Sequence, residues 1–238
     1  MKTKKLMLFI YDFPHKKTQD FLFRLMVEGY NIEYCIAAPW KKLNINKPSV
    51  RVDQKHVGLI PPSIICQKLG IKYILLDHQN KGVVGVIKDS PVDLAIIAGA
   101  RILNPEVIQA CGGKVLNIHP GLLPEVRGLD TFFWSIYYKK PLGISAHFIT
   151  PKIDSGFLIY KEKLPLYKND TPFDVTLRLL EQQQDILIKT LEILEKKDIK
   201  DLEDISNYDT PYNTKMEPEL ERKMYDQFNS WLKLFADE

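Results

Sequence analysis

Five apolar runs, separated by stretches that could be helical, set the limits on this chain. They read "KLMLFIY" (5–11), "NIEYCIAAP" (31–39), "IKYILLD" (71–77), "VDLAIIAGA" (92–100) and "KVLNIH" (114–119). The first is apolar on both faces, the pattern of a parallel strand covered by helices on either side. Between the runs, "TQDFLFRLMVEGY" (18–30) has helical spacing, with Phe21, Leu25 and Val27 to one side and Gly29 near its end. "PPSIICQKLG" (61–70) has prolines at its entrance and a glycine at its exit, as a short helix would. Residues 40–58 are polar and irregular. Strand alternating with helix predicts an α/β fold built on an open, mostly parallel sheet with right-handed crossovers.

The pattern changes after Pro141. "LGISAHFIT" (142–150) and "FLIYKEKL" (157–164), joined by "PKIDSG", predict a β-hairpin extension. A helix follows, with Thr171 as cap, Pro172 in its first turn and Asp174 at capping-box spacing. Phe173, Leu177, Leu180, Leu187, Leu191 and Leu194 are expected to share its apolar face. The remainder is loop-like until a last amphipathic helix with Leu220, Met224, Phe228, Trp231 and Phe235, a face suited to its own domain or to a homodimer contact. The expected organisation is a main domain over 1–196 and a short helical tail over 197–238.

Charge divides at the same point. The net charge is +3, made of +8 before Lys197 and −5 from it onward. A mildly basic body suits an anionic small molecule, or is simply a solvated surface. It lacks the dense Lys/Arg stripe of a nucleic-acid binder. Three cysteines without a C-x-x-C pair predict neither a disulfide framework nor a metal site, and fit a reducing, cytoplasmic compartment. No apolar stretch reaches membrane-spanning length, so no membrane partner is expected. "MKTKKLMLFIYDF" soon meets Asp12 and reads as a first buried strand.

"VLNIHPGLLPEVRGLD" (115–130) carries the chemistry. Ligands of open α/β sheets bind beyond the carboxyl ends of the strands. Here an apolar strand ends in Asn117 and His119, whose i, i+2 spacing points both side chains to one face. An amide can donate to a developing oxyanion, and an imidazole can move a proton near neutral pH. Pro120 and Gly121 then turn the chain away. Asp154, in "KIDSG", could orient or charge the imidazole. Spacing alone equally allows a satisfied core histidine, an Asn that caps a turn and an ordinary turn aspartate.

Three separated segments resolve this by resemblance. "PVDLAIIAGARILNPEVI", "NIHPGLLPEVRGLDT" and "GISAHFITPKIDSGFLI" together resemble the formyltransferase family that uses 10-formyltetrahydrofolate. The resemblance covers about residues 90–165 closely and the rest of the parallel sheet weakly. It implies that Asn117, His119 and Asp154 form a catalytic triad and that 10-formyltetrahydrofolate is the co-substrate, with no metal. It also implies an apolar folate slot that includes Arg101, Ile102 and Leu103. Many members have Ser where this chain has Gly121.

Within the family, the first loop "YDFPHKKTQD" has no glycine, unlike the phosphate loop of the glycinamide ribonucleotide transformylases. The acidic tail would repel RNA, which sets the chain apart from the methionyl-tRNA formyltransferases. It is most similar to the sugar N-formyltransferases acting on dTDP-4-amino-4,6-dideoxyglucose, enzymes of surface polysaccharide and O-antigen synthesis in bacteria. Candidate acceptor contacts are Lys16, Lys17, Arg127 and Lys215 for the diphosphate, and Trp134, Tyr137 and Tyr212 for the base. A glycinamide ribonucleotide transformylase and a 10-formyltetrahydrofolate hydrolase remain as alternatives.

Overall fold

The computed structural model describes residues 4–42 and 58–236. The expectation for 40–58 therefore lies almost wholly outside the described residues. The chain packs as two compact units. Of the described residues, one comprises 4–42, 58–117 and 148–155, and the other 118–147 and 156–236. The units do not divide at 196–197, and the tail belongs to the second.

In the first unit, strands β1 (Lys5–Tyr11), β2 (Asn31–Ala38), β3 (Lys72–Leu75), β4 (Leu94–Ile97) and β5 (Val115–His119, whose last two residues fall in the second unit) are parallel, in the order β3-β2-β1-β4-β5. This is the α/β fold with a mostly parallel open sheet that the strand–helix alternation predicts. Met7 and Phe9 of β1, Tyr34 and Ile36 of β2, Ala95 of β4 and Val115 of β5 lie in one core cluster. Residues i and i+2 of a strand share a face, so this cluster is one side of the sheet. Helices α3 (Gly82–Asp89) and α4 (Pro105–Ala110) cover that side through Val83, Ile87, Val107 and Ile108.

Helix α1 (Lys16–Val27) starts two residues earlier than expected, because His15 caps it and accepts from the Thr18 N–H. Its buried face is Thr18, Phe21, Leu22 and Leu25, while Val27 is 84% exposed, so the expected place of Val27 on that face is corrected. Helical geometry gives the reason: 18, 21, 22 and 25 follow i, i+3, i+4, i+7, and 27 does not. Helix α2 (Pro62–Leu69) ends on Gly70 in the left-handed conformation, as its sequence predicts.

In the second unit, β7 (Gly143–Phe148) and β8 (Phe157–Lys163) are neighbours, with the Leu164 N–H bonded to the Leu142 carbonyl at the end of the pair away from the connecting segment. A two-residue strand β9 (Glu203–Asp204) continues antiparallel to β8. Helix α6 (Pro172–Ile193) opens with the expected Thr171/Asp174 capping box. Its buried face is rotated from the expected one. Of the expected residues Leu187 and Leu191 are buried, together with Val175, Leu179, Gln182, Gln183, Ile186 and Thr190, whereas Phe173 is exposed and Leu177, Leu180 and Leu194 are half-buried.

The tail is fastened to the loop after β5. Strand β10 (Tyr212–Asn213) pairs in parallel with β6 (Arg127–Gly128). A Cβ at Gly128 would come within 1.9 Å of the Asn213 carbonyl oxygen, so only glycine allows this approach. The Asn213 amide donates to the Arg127 carbonyl, and the Tyr138 hydroxyl donates to Asn213. Helix α7 (Pro218–Phe235) then lays Phe228 and Trp231 against Phe132 of α5 (Thr131–Tyr137). The Trp231 indole donates to the Lys140 carbonyl at 2.8 Å. The face expected to serve either its own domain or a dimer is thus covered by its own unit.

Candidate active site

The carboxyl ends of the parallel strands gather the polar groups of the first unit. β1 closes with Tyr11, whose hydroxyl donates to the Ala100 carbonyl at 2.8 Å, and Thr18 of α1 donates to the Ala98 carbonyl at 3.0 Å. These two bonds pin the first turn to the loop after β4. Tyr11 stacks on Phe13 with ring centres 4.8 Å apart, and His15 meets Tyr11 edge-on at 5.1 Å. The turn that would hold a phosphate in a glycine-rich loop is therefore filled by aromatic rings and closed by a side-chain cap.

Burial, with Lys17 close by, pushes His15 down to about 4, so its ring is neutral at physiological pH. Lys17 is pushed down to about 7 by burial, and the negative charge of Asp154 pulls it partly back. This coupling brings Asp154 into the surroundings of the first turn of α1. Asp154 itself takes a left-handed backbone, φ +46°, in the connection after β7. The Ile149 N–H donates to the Val115 carbonyl at 3.0 Å, so that connection starts alongside β5. Asn117, half-buried, ends the part of β5 that pairs with β4, opposite Ile97.

Arg101 is held between strand ends. Its guanidinium donates to the Pro39 carbonyl at 2.7 Å and lies 3.6 Å from Asp77. Ile102 is 62% exposed. Leu103 is buried in the core cluster with Val107, just before α4. Of the three, only Ile102 presents an apolar side chain outward. Lys16 is paired with Asp20 one helical turn on, at 2.7 Å.

In the second unit, His119 is buried, and its Nε2 lies 3.1 Å from the Val126 carbonyl oxygen. Its ring meets that of the buried His147 edge-on at 6.5 Å. His147 was not singled out by sequence reasoning. Its place on β7, on one face with Ser145, was the signal available.

The acceptor candidates of this unit cluster where the tail docks. Arg127 is buried and donates to the Thr210 carbonyl, and the Trp134 indole donates to the Thr214 carbonyl at 3.0 Å. Trp134 also stacks on Tyr138 and meets Tyr137 edge-on. Tyr137 and Tyr212 are exposed. Lys215 is bound to Asp130 at 2.6 Å, with Glu221 3.9 Å away, so its charge is already balanced. Among the described residues no group of three or more His, Cys, Asp or Glu could hold a metal ion, and no helix is long and apolar enough to cross a membrane.

An open, mostly parallel sheet with Asn117 at a strand end and the turn carboxylate Asp154 in the same unit defines an α/β protein. The chain belongs to the formyl transferase family, whose model matches residues 37–191. It is 37% identical over 97 residues to a phosphoribosylglycinamide formyltransferase of Haemophilus influenzae, an alignment covering 40% of this chain and 46% of that protein, less than half its length. Among solved structures it is similar to a phosphoribosylglycinamide formyltransferase from Anaplasma phagocytophilum, with TM-score 0.65 and 19% identity over 90% of this chain and all of that one. It is also similar to the formyltransferase PseJ from Anoxybacillus kamchatkensis, solved in complex with UDP-4,6-dideoxy-4-formamido-L-AltNAc and tetrahydrofolate. There the TM-score is 0.55 and the identity 17%, over 98% of this chain and 97% of that one. At such identities the structural likenesses show the fold.

Proposed function

We propose that this protein transfers a formyl group from 10-formyltetrahydrofolate to the amine of a nucleotide-linked 4-amino-4,6-dideoxy sugar, with dTDP as the nucleotide. The observation that carries formyl transfer is the polar end of β5, Asn117-Ile118-His119-Pro120, in a chain of this family. The Asn117 amide is a neutral donor suited to a formyl oxygen that gains negative charge as the amine attacks. His119 takes up the amine proton. Asp154 contributes the carboxylate that balances a charged imidazole or holds a water. Ile102 and the backbone around it form the apolar edge against which the folate lies.

The sugar acceptor is supported by the first turn. A terminal phosphate favours a helix N-terminus with open N–H groups, usually beside glycines. Here the N-terminus of α1 is capped by His15, and Tyr11 and Phe13 fill the turn. A structural neighbour that covers 98% of this chain, PseJ, was solved with UDP-4,6-dideoxy-4-formamido-L-AltNAc and tetrahydrofolate, and that coverage takes in most of the tail. One observation favours a second reading, glycinamide ribonucleotide as acceptor: the 37% identity to the Haemophilus influenzae protein.

The test is tetrahydrofolate formation from 10-formyltetrahydrofolate, with and without dTDP-4-amino-4,6-dideoxyglucose. Formation that depends on the sugar nucleotide supports the proposal. Equal formation without any amine makes the protein a hydrolase, and no formation in either case removes the folate donor.

A further inference from the structure

A Cβ built on Gly121 would stand 2.8 Å from His119 Nε2, 2.8 Å from the Val126 carbonyl oxygen and 3.0 Å from Thr131 Cγ2. Cβ atoms do not approach other heavy atoms so closely, so any other residue at 121 requires something to move. The loop is poorly placed to yield. The Val126 N–H is bonded to the Leu122 carbonyl at 2.8 Å, and the Leu123 N–H to Ser145 Oγ at 2.9 Å. Thr131 donates to the Pro120 carbonyl, and Lys161 Nζ donates to the Leu123 carbonyl at 2.8 Å. The backbone on both sides of 121 is thus fastened, and the group with rotatable bonds is the His119 side chain.

That side chain occupies the space a Cβ would take. Its Nε2 is 3.1 Å from the Val126 carbonyl oxygen. A carbonyl only accepts, so the hydrogen of this bond belongs to Nε2. The neutral ring then carries its hydrogen on Nε2, and the proton that charges the ring goes on and off at Nδ1.

We propose that Gly121 is a positioning residue for His119: its missing side chain leaves the seat in which the imidazole is anchored through Nε2 on the Val126 carbonyl, with proton exchange confined to Nδ1. The glycine at the position where many members of the family carry serine is then a requirement of this seat. Its catalytic meaning rests on the formyl-transfer reading, but the seat itself does not.

Two measurements test it, both on the full-length protein. The first reads the wild-type protein. Long-range 15N–1H correlation resolves the tautomer of each of the five histidines, and His119 is assigned by its loss in His119→Asn. The neutral His119 ring is expected as the Nε2–H tautomer. An Nδ1–H tautomer overturns the proposal, whether or not the protein transfers formyl groups. The second uses Gly121→Ala and Gly121→Ser. Both are expected to shift the His119 ring signals and to lower kcat by about 100-fold, with KM for donor and acceptor little changed, since a reacting group displaced by about 1 Å loses rate rather than binding. If either variant fails to fold, the wild-type tautomer still decides. Folded variants with unchanged His119 signals contradict the seat. Shifted signals with unchanged kcat contradict the positioning role.

Discussion

Lys215 reaches back 85 residues to grip Asp130 at 2.6 Å, and the N–H of the next residue, Met216, bonds to the same carboxylate at 2.8 Å. Both charged side chains are mostly buried, and Asp130 stands in a left-handed conformation, φ +50°. The pair therefore ties the tail to the loop that follows β5. Asp130→Asn keeps the size and the tolerance for that backbone but leaves Lys215 with the more distant Glu221 alone. A loss of about 2 kcal/mol in urea unfolding is expected, together with faster proteolytic cleavage between residues 205 and 216. Unchanged stability and cleavage would mean that the strand pair β6–β10 and the packing of α7 hold the tail without this ion pair.

Lys17 should titrate near 7, far below the usual 10.5, because burial disfavours its charge. The 13C shift of its Cε reports this directly. Between those two pH values the unfolded chain binds more protons than the native one, so stability rises with pH across that window on account of Lys17. Lys17→Met should flatten the rise. Asp154→Asn removes the charge that pulls the ammonium back up, so the Lys17 midpoint should fall further. A Lys17 midpoint like that of the exposed lysines, or one indifferent to Asp154→Asn, contradicts the coupling.

His15 gives a window on the acid side. Its native value of about 4 lies below the ordinary 6.5, so the unfolded state takes up the extra proton between them. Stability on its account is full above 6.5 and is lost as pH falls toward 4. His15→Asn keeps a side chain able to cap α1 and should remove this part of the acid loss. Parallel wild-type and variant curves of unfolding free energy against pH, from 7 down to 4, would show that His15 is protonated in the fold.

How much of this could be seen beforehand depends on how local each signal is. The five strands and the Thr171 cap are written in contiguous residues and were legible. The face of α6 was legible only at Leu187 and Leu191, because the rest of it includes Gln182 and Gln183. Gln182 donates to Glu162 and to the Lys163 carbonyl, and Gln183 to the Leu179 carbonyl, so polar letters stand on a buried face. The strand-end position of Asn117 and His119 followed from the apolar run that stops at them. The electrostatic link between Lys17 and Asp154 joins residues 137 apart and has no local pattern. Lys215 looked like a free cation because its partner Asp130 lies in another part of the chain. Gly121 looked like a missing hydroxyl, whereas in the structure it is space occupied by His119.

The proposed triad is open to substitution. His119→Asn and Asp154→Asn should each lower turnover by about 100-fold or more, with far-UV circular dichroism unchanged. His119 ends β5 and Asp154 lies in the connection between β7 and β8, and the replacements are close in size, so little packing is lost. Near-normal turnover in either variant removes that residue from the chemistry.

The most direct measurement is kcat/KM for two acceptors under the same conditions, with 10-formyltetrahydrofolate as donor. For dTDP-4-amino-4,6-dideoxyglucose it should exceed that for glycinamide ribonucleotide by about 10⁴-fold, since a buried polar site built for one acceptor leaves groups unpaired with the other. Equal values, or a preference for glycinamide ribonucleotide, would contradict the sugar acceptor and show that the capped, aromatic first turn still admits a terminal phosphate.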